Sequence, residues 1–171
     1  YDTSGNPVAV ATGTDGQVLT SAGAGAVPAF ETLASATNTP AFYAKASSGQ
    51  SISNTTHTTI VYDTELFDTD SAYASNTFTC PSGKAGKYFF FAQAGKQGWA
   101  SNRFLIYLSK NGADASTGEG TTTGAYYPTT STTAVIELSV GDTVLARIYQ
   151  DGGTQTLSVD NRTAFYGYKL I

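Results

Sequence analysis

Few residues in this chain have the chemistry for catalysis or metal binding, and their spacing favours neither. His57 is the single histidine and lies in a polar run between Thr55-Thr56 and Thr58-Thr59. A nucleophilic triad needs a carboxylate to orient its base and donors for an oxyanion. Neither stands nearby, so His57 reads as a solvent-exposed loop residue. A carboxylate pair could hydrolyse a glycosidic bond. Asp15, Asp68, Asp70, Asp114, Asp142, Asp151 and Asp160 are instead scattered through turn segments, where Asp is favoured for local hydrogen bonding alone. One Cys and one His cannot complete a zinc site. Calcium needs only oxygens, and Asp68-Thr69-Asp70 makes a candidate calcium site, without the glycine and closing Glu of an EF-hand. Gly118 to Gly124 and Gly83-Lys84 lack the glycine spacing of phosphate-cradling loops and precede no helix. The expectation is a protein with no catalytic residues and no required cofactor, calcium being possible.

Ligand binding has a better candidate. Trp99, Tyr126 and Tyr127 sit in Gly/Ser/Thr-rich segments rather than in alternating strands. Aromatic rings beside Asn and Asp groups can hold the face of a sugar, so these three form a candidate glycan platform. A nucleic-acid partner is not expected at a net charge of -4, because phosphate binding needs surplus Lys and Arg. No run of 18 apolar residues is present, so no membrane span is expected. Cys80 has no second cysteine to pair with and reads as a buried small apolar residue. The chain has no Met and begins at Tyr1, as a processed product or a fragment would. Its apolar end at residues 168–171 reads as a docked strand and a true C-terminus.

The elements that would carry these residues are strands. Charged residues are sparse, Gly, Ser, Thr and aromatics are plentiful, and no stretch keeps a helical period over twelve residues. Strands are predicted at 41–46, 60–63, 77–80, 87–94, 104–110, 134–140, 143–150, 155–159 and 163–171, with polar loops at 47–59 and 113–124. Asn111-Gly112 and Gly141-Asp142 mark tight turns. The organising stretch is 78–92: a strand, a reversal, and a second strand that is apolar on both faces. Side chains alternate across a strand, so Tyr88 and Phe90 face one way and Phe89 and Phe91 the other. The second face needs its own cover, and another subunit could supply it.

Residues 1–38 differ in texture, with isolated apolar pairs separated by Gly and Ala turns that cannot close a core alone. The phrase Thr14-Asp15-Gly16-Gln17-Val18-Leu19-Thr20-Ser21, followed by glycines and Phe30, resembles segments near the ends of bacteriophage tail-fibre and other virion proteins. That resemblance implies a stalk intertwined among three chains and contacts with other virion proteins.

From residue 39 to 171 the pattern resembles the complement C1q-like globular domain, grouped with the tumour necrosis factor-like jelly rolls. The resemblance rests on Tyr62, Asp68, Tyr73, Phe78 and Gly86-x-Tyr88-x-Phe90. Three motifs follow in order: Leu108-x-Lys110-Asn111-Gly112, Leu138-x-Val140-Gly141-Asp142-x-Val144 and Thr163-x-Phe165-x-Gly167-x-x-Leu170. The family usually has Phe in place of Tyr62 and an aromatic in place of Ala92, and two loop spacings differ. No collagen Gly-x-y repeat precedes the domain.

The resemblance implies an all-β, ten-stranded, two-sheet jelly roll that forms a homotrimer, with an aromatic inner sheet facing the threefold axis. Phe42 or Tyr43, Tyr62, Tyr88, Phe90 and Phe165 would serve as core or trimer contacts. Some members of the family bind calcium near the trimer apex, which bears on Asp68 and Asp70. The functional expectation is a trimeric head at a virion surface or another extracellular site, carried on a short N-terminal shaft. Such a fibre, spike or capsid-decoration protein would recognise a host-surface glycan or protein. A purely structural trimerisation cap is the alternative, as is a secreted or bacterial-surface adhesin or filament protein.

Overall fold

A computed structural model describes residues 4–7, 9–33, 37–97, 103–121 and 128–170. The chain divides into two compact units, Tyr1–Thr37 and Asn38–Ile171. In the first, β1 (Gln17–Thr20) pairs antiparallel with β2 (Ala29–Thr32), setting Leu19 opposite Phe30. A Cβ on Gly13 would fall 2.5 Å from the Phe30 ring, so that approach requires glycine. Val18, Leu19, Phe30 and Leu33 all stay exposed.

The second unit contains β3 (Ala41–Ala46), β4 (Ser51–Ile52), β5 (Thr58–Thr59), β6 (Thr64–Asp68), β7 (Tyr73–Ala74), β8 (Thr77–Thr79) and β9 (Gly86–Gln97). It continues with β10 (Arg103–Lys110), β11 (Ala113–Thr121), β12 (Thr129–Leu138), β13 (Thr143–Gln150), β14 (Gln155–Leu157) and β15 (Asp160–Lys169). Antiparallel pairing gives two sheets. One runs β12-β9-β15-β3-β6, with β14 and β4 joined at the far end of β9. The other runs β11-β10-β13-β8-β7, with β5 also on β13.

The all-β jelly-roll reading holds, but several details differ from expectation. Thirteen strands, not ten, make up the described part of this unit, because β4, β5 and β7 are two-residue pieces within loops. Residues 60–63 are not a strand. Their amides bond instead to the Ala146 carbonyl, Gln50 Oε1 and Asn76 Oδ1, which satisfies the backbone without a ladder. Residues 113–121 form a full strand where a loop was expected. The Asn111-Gly112 turn folds them back on β10, and a polar Thr/Ser/Gly sequence suffices where the inter-strand bonds do the work. Likewise β12 begins five residues before the predicted strand. The organising stretch is also not a hairpin: β8 belongs to one sheet and β9 to the other, so the turn between them crosses the sandwich.

That crossing interlocks the core. Phe42 on β3 stacks on Tyr73 at 4.8 Å and on Phe78 at 5.4 Å, and meets Phe165 edge-on at 4.9 Å. Phe78 from the opposite sheet reaches Tyr88 at 5.3 Å and Phe90 at 5.4 Å. These offset and edge-on geometries suit aromatic quadrupoles. The buried phenols keep partners: Tyr88 donates to the Lys84 carbonyl at 2.6 Å, and Tyr73 to the Tyr62 carbonyl at 3.1 Å.

One end of the sandwich is tied by Asp142. Its carboxylate accepts from Asn111 Nδ2 and the Ser139 amide, each at 2.8 Å, and pairs with Lys110 Nζ at 2.8 Å. Asn111 Oδ1 in turn accepts from the Thr143 amide, and the Cys80 amide donates to the Asp142 carbonyl. Two of the motifs read separately in sequence are therefore one structural clasp. Lys110, then Asn111 and the Ser139 amide, pull the Asp142 carboxyl down to about 2.

A Cβ on Gly118 would lie 2.0 Å from the Ser131 carbonyl oxygen, where β11 and β12 close one side of the sandwich. Gly118→Ala should cost about 1–3 kcal/mol, seen as a Tm loss of about 2–4 °C per kcal/mol, with Gly120→Ala milder. Because the folded Asp142 carboxyl sits below its unfolded value of about 4, its contribution is complete above about pH 4 and fades toward about pH 2. Thermal melts across that window should show a smaller pH slope for Asp142→Asn than for the parent chain.

Candidate functional site

The sheet β12-β9-β15-β3-β6 has two apolar faces. Its inner face carries Phe42, Ala44, Tyr88, Phe90, Ala92 and Phe165, all fully buried. Its outer face carries the residues of opposite parity, arranged by register into two rows. In the first, Phe67 lies opposite Tyr43, Tyr43 opposite Tyr166, and Tyr166 opposite Phe91. Ring centroids along it are 6.4, 5.7 and 4.8 Å apart, a continuous ladder across four strands. In the second, Ala41 lies opposite Tyr168, Tyr168 opposite Phe89, and Phe89 opposite Val135. Phe89 and Tyr168 are 5.4 Å apart.

Polar residues bound this band. Lys87 and Glu137 face each other at one end, and Lys45, Gln93 and Ser131 lie at the other. Burial, with the nearby Tyr168 and Tyr43 phenols adding, raises the Tyr166 phenol. Between Ala41, Tyr43, Phe67, Tyr166 and Tyr168 the surface dips into an apolar hollow of about 260 Å³. An apolar band with charged ends suits a protein contact better than a polar small molecule.

The six aromatics expected as core or trimer contacts separate cleanly. Phe42, Tyr62, Tyr88, Phe90 and Phe165 are core, at 1 % exposure or less, and only Tyr43 stands on the outer face. Phe89 and Phe91 take the opposite side from Phe90, as the alternation required. Sequence reasoning missed Phe67, Tyr166 and Tyr168. The signal for the last two was present, since they alternate with Phe165 and Gly167 on one strand.

The remaining candidates stand apart from this face. Asp68 accepts the amides of Ala72 at 3.0 Å and Tyr73 at 2.8 Å, capping its own turn. Asp70 accepts from Thr69 Oγ1 and pairs with Lys84 Nζ at 3.4 Å. A calcium ion at this pair would have to displace an ammonium and backbone donors. Among the described residues no three His, Cys, Asp or Glu side chains group as a metal site would need. Trp99, Tyr126 and Tyr127 lie outside the described residues.

His57 is exposed, but its ring rests on Tyr107 and Tyr149 at 5.0 and 5.2 Å. Beside it Asp114 binds Arg147 and takes a 2.6 Å bond from Ser109. Burial acts to raise that carboxyl, but Ser109 and Arg147 together hold it below the usual range. His57 thus pins the loop before β5 to the second sheet. No helix among the described residues is long and apolar enough to cross a membrane.

Solved structures that share this fold include the following. The globular domain of zebrafish complement 1qA protein is 17 % identical with a TM-score of 0.58, covering 77 % of this chain and 98 % of that one. Murine APRIL at pH 8.5 is 14 % identical with a TM-score of 0.55, covering 76 % and 98 %. The Eiger TNF structure from S. frugiperda is 10 % identical with a TM-score of 0.53, covering 77 % and 92 %. No curated protein sequence matches the chain. The sequence model of the C1q domain matches residues 41–170, a span that holds both sheets and every motif of the jelly-roll pattern, and the chain belongs to the C1q domain family.

Proposed function

We propose that this protein is a non-enzymatic, homotrimeric head domain whose aromatic sheet face is the contact between subunits. The observation that carries the reading is the outer face itself. Six aromatic side chains and Val135 form one apolar band on the solvent side of a sheet whose other side is already a complete core. Contiguous apolar patches of this kind are uncommon on monomers. The polar residues at both ends of the band match the rim of a subunit interface. Membership of the C1q domain family and a fold shared with tumour necrosis factor-like proteins support three as the number of copies.

We place the head at a virion surface or another extracellular site, on a stalk formed by residues 1–38. The resemblance of that segment to virion fibre ends supports this. Attachment to a host-surface glycan or protein then falls to Trp99, Tyr126 and Tyr127.

Light scattering should give about 53 kDa, three times 17.8 kDa, at micromolar concentration. The pair of changes Phe91→Asp and Tyr166→Asp should leave a folded monomer with unchanged far-ultraviolet circular dichroism, because both side chains lie outside the core. A monomeric parent chain, or a double variant that stays trimeric, overturns the assembly. In a host-cell binding assay, Trp99→Ala and Tyr127→Ala should each weaken binding at least tenfold while the trimer persists. Undiminished binding would assign the head a structural capping role instead.

A further inference from the structure

The Asp142 clasp is closed over a chemically fragile pair of residues. Asn111 is followed by Gly112, and the two make the turn between β10 and β11 with φ of 50° and 85°. The side-chain carbonyl carbon of an asparagine can be attacked by the backbone nitrogen of the next residue. A carbon–nitrogen bond forms, a five-membered imide closes, and the side-chain nitrogen leaves as ammonia. Water then opens the imide at either carbonyl, giving aspartate or, with the main chain rerouted through the side chain, isoaspartate. Asparagine and water are consumed, the acid and ammonia are produced, and no enzyme or cofactor takes part. A following glycine hinders the attack least, because it has no Cβ. Both residues are exposed, so water reaches them.

The fold controls the side chain. Asn111 Nδ2 donates to Asp142 at 2.8 Å, and Oδ1 accepts from the Thr143 amide at 2.8 Å and the Thr143 hydroxyl at 3.2 Å. The Asn111 amide also donates to the Thr143 carbonyl at 3.0 Å, which holds the backbone. The side-chain carbon cannot turn onto the Gly112 nitrogen until all three side-chain bonds have opened. With its carboxyl pulled down to about 2, Asp142 is ionised at any pH near neutral, so its bond to Nδ2 is charge-assisted.

We infer that Asn111 is a site of spontaneous, one-way modification: the closed clasp protects its amide, and conversion after the clasp opens prevents it from closing again. The second half follows from the same contacts. The product carries a carboxylate where Nδ2 had donated, and it faces the Asp142 carboxylate, which already holds the Lys110 ammonium. Like charges at that distance disfavour the closed state. Isoaspartate also lengthens the main chain inside the turn, which breaks the pairing of Lys110 with Ala113. The clasp ties the turns after β10 and β12 to the residue following β8, so this end of the sandwich records a lasting opening as a permanent change of charge.

The full chain is held for days at mildly alkaline pH, and conversion of Asn111 is followed by peptide mass spectrometry, which separates the amide from the heavier acid. The native parent should convert at least about tenfold more slowly than the same chain unfolded in guanidinium chloride, because three hydrogen bonds, one of them to a charged group, must open first. Asp142→Ala, shown to be folded by circular dichroism, should convert several-fold faster than the parent. If that variant does not fold, Asp142→Asn, which keeps an acceptor but no charge, should give a rate between those of the native and the unfolded parent. A native parent that converts as fast as the unfolded chain, or folded Asp142 variants that convert as slowly as the parent, overturns the inference. Reclosure has its own readout. Asn111→Asp should lower the Tm by several degrees near neutral pH. Adding Asp142→Asn restores one donor facing one carboxylate and should recover most of that loss. An Asn111→Asp chain as stable as the parent, or one that Asp142→Asn does not rescue, shows that conversion leaves the clasp free to close and overturns its one-way character.

Discussion

Strand alternation puts Phe90 and Phe91 on opposite sides of one sheet, and a single two-layer sandwich can cover only one of them. The rest of the molecule is arranged around that constraint. Phe90, with Tyr88, Phe42 and Phe165, is covered by Phe78 and Tyr73 from the facing sheet. Among the described residues, Phe91, with Phe89, Tyr166 and Tyr43, meets rings of its own face alone. Burying one more aromatic ring releases on the order of 2–3 kcal/mol. A row of rings left at a surface is therefore a standing drive toward association.

The two sheets can afford this because their own closure depends on other features. The short turn after Cys80 carries the chain from β8 in one sheet to β9 in the other, so the densest aromatic contacts also cross-link the layers. At one end the Asp142 clasp joins the turns after β10 and β12 to the residue following β8. Along one side, glycine at position 118 lets β11 approach the backbone of β12. Gly167 does the same within the sheet, where a Cβ would fall 2.5 Å from the Phe90 ring. None of these devices uses the outer face, which stays available for contact.

The turn and loop chemistry was only partly readable in advance. Asn111-Gly112 and Gly141-Asp142 announced themselves as turns, yet nothing in their spacing indicated that Asn111 and Asp142 would bond to each other across thirty intervening residues. His57, read as a bare loop residue, rests on two tyrosines that arrive from β10 and β13. The carboxylates of Asp68 and Asp70 are engaged by amides and by Lys84. Residues 113–121 looked like a loop because Gly, Ser and Thr dominate them. An edge strand held by its ladder to β10 needs no apolar alternation, so periodicity could not report it.

By itself the sequence determined that this is a β protein, where most of its strands run, and which residues share a face, because parity along a strand follows from backbone geometry alone. It also carried the ordered motifs by which the jelly roll is known. Which parity faces inward was decided only by the tertiary structure. Both faces of β9, β15 and β3 are aromatic, so the pattern reads the same when inside and outside are exchanged. Phe78 and Tyr73, delivered by the opposite sheet, break that symmetry. They make Phe42, Tyr88, Phe90 and Phe165 the core, and leave Tyr43, Phe89, Phe91, Tyr166 and Tyr168 at the surface.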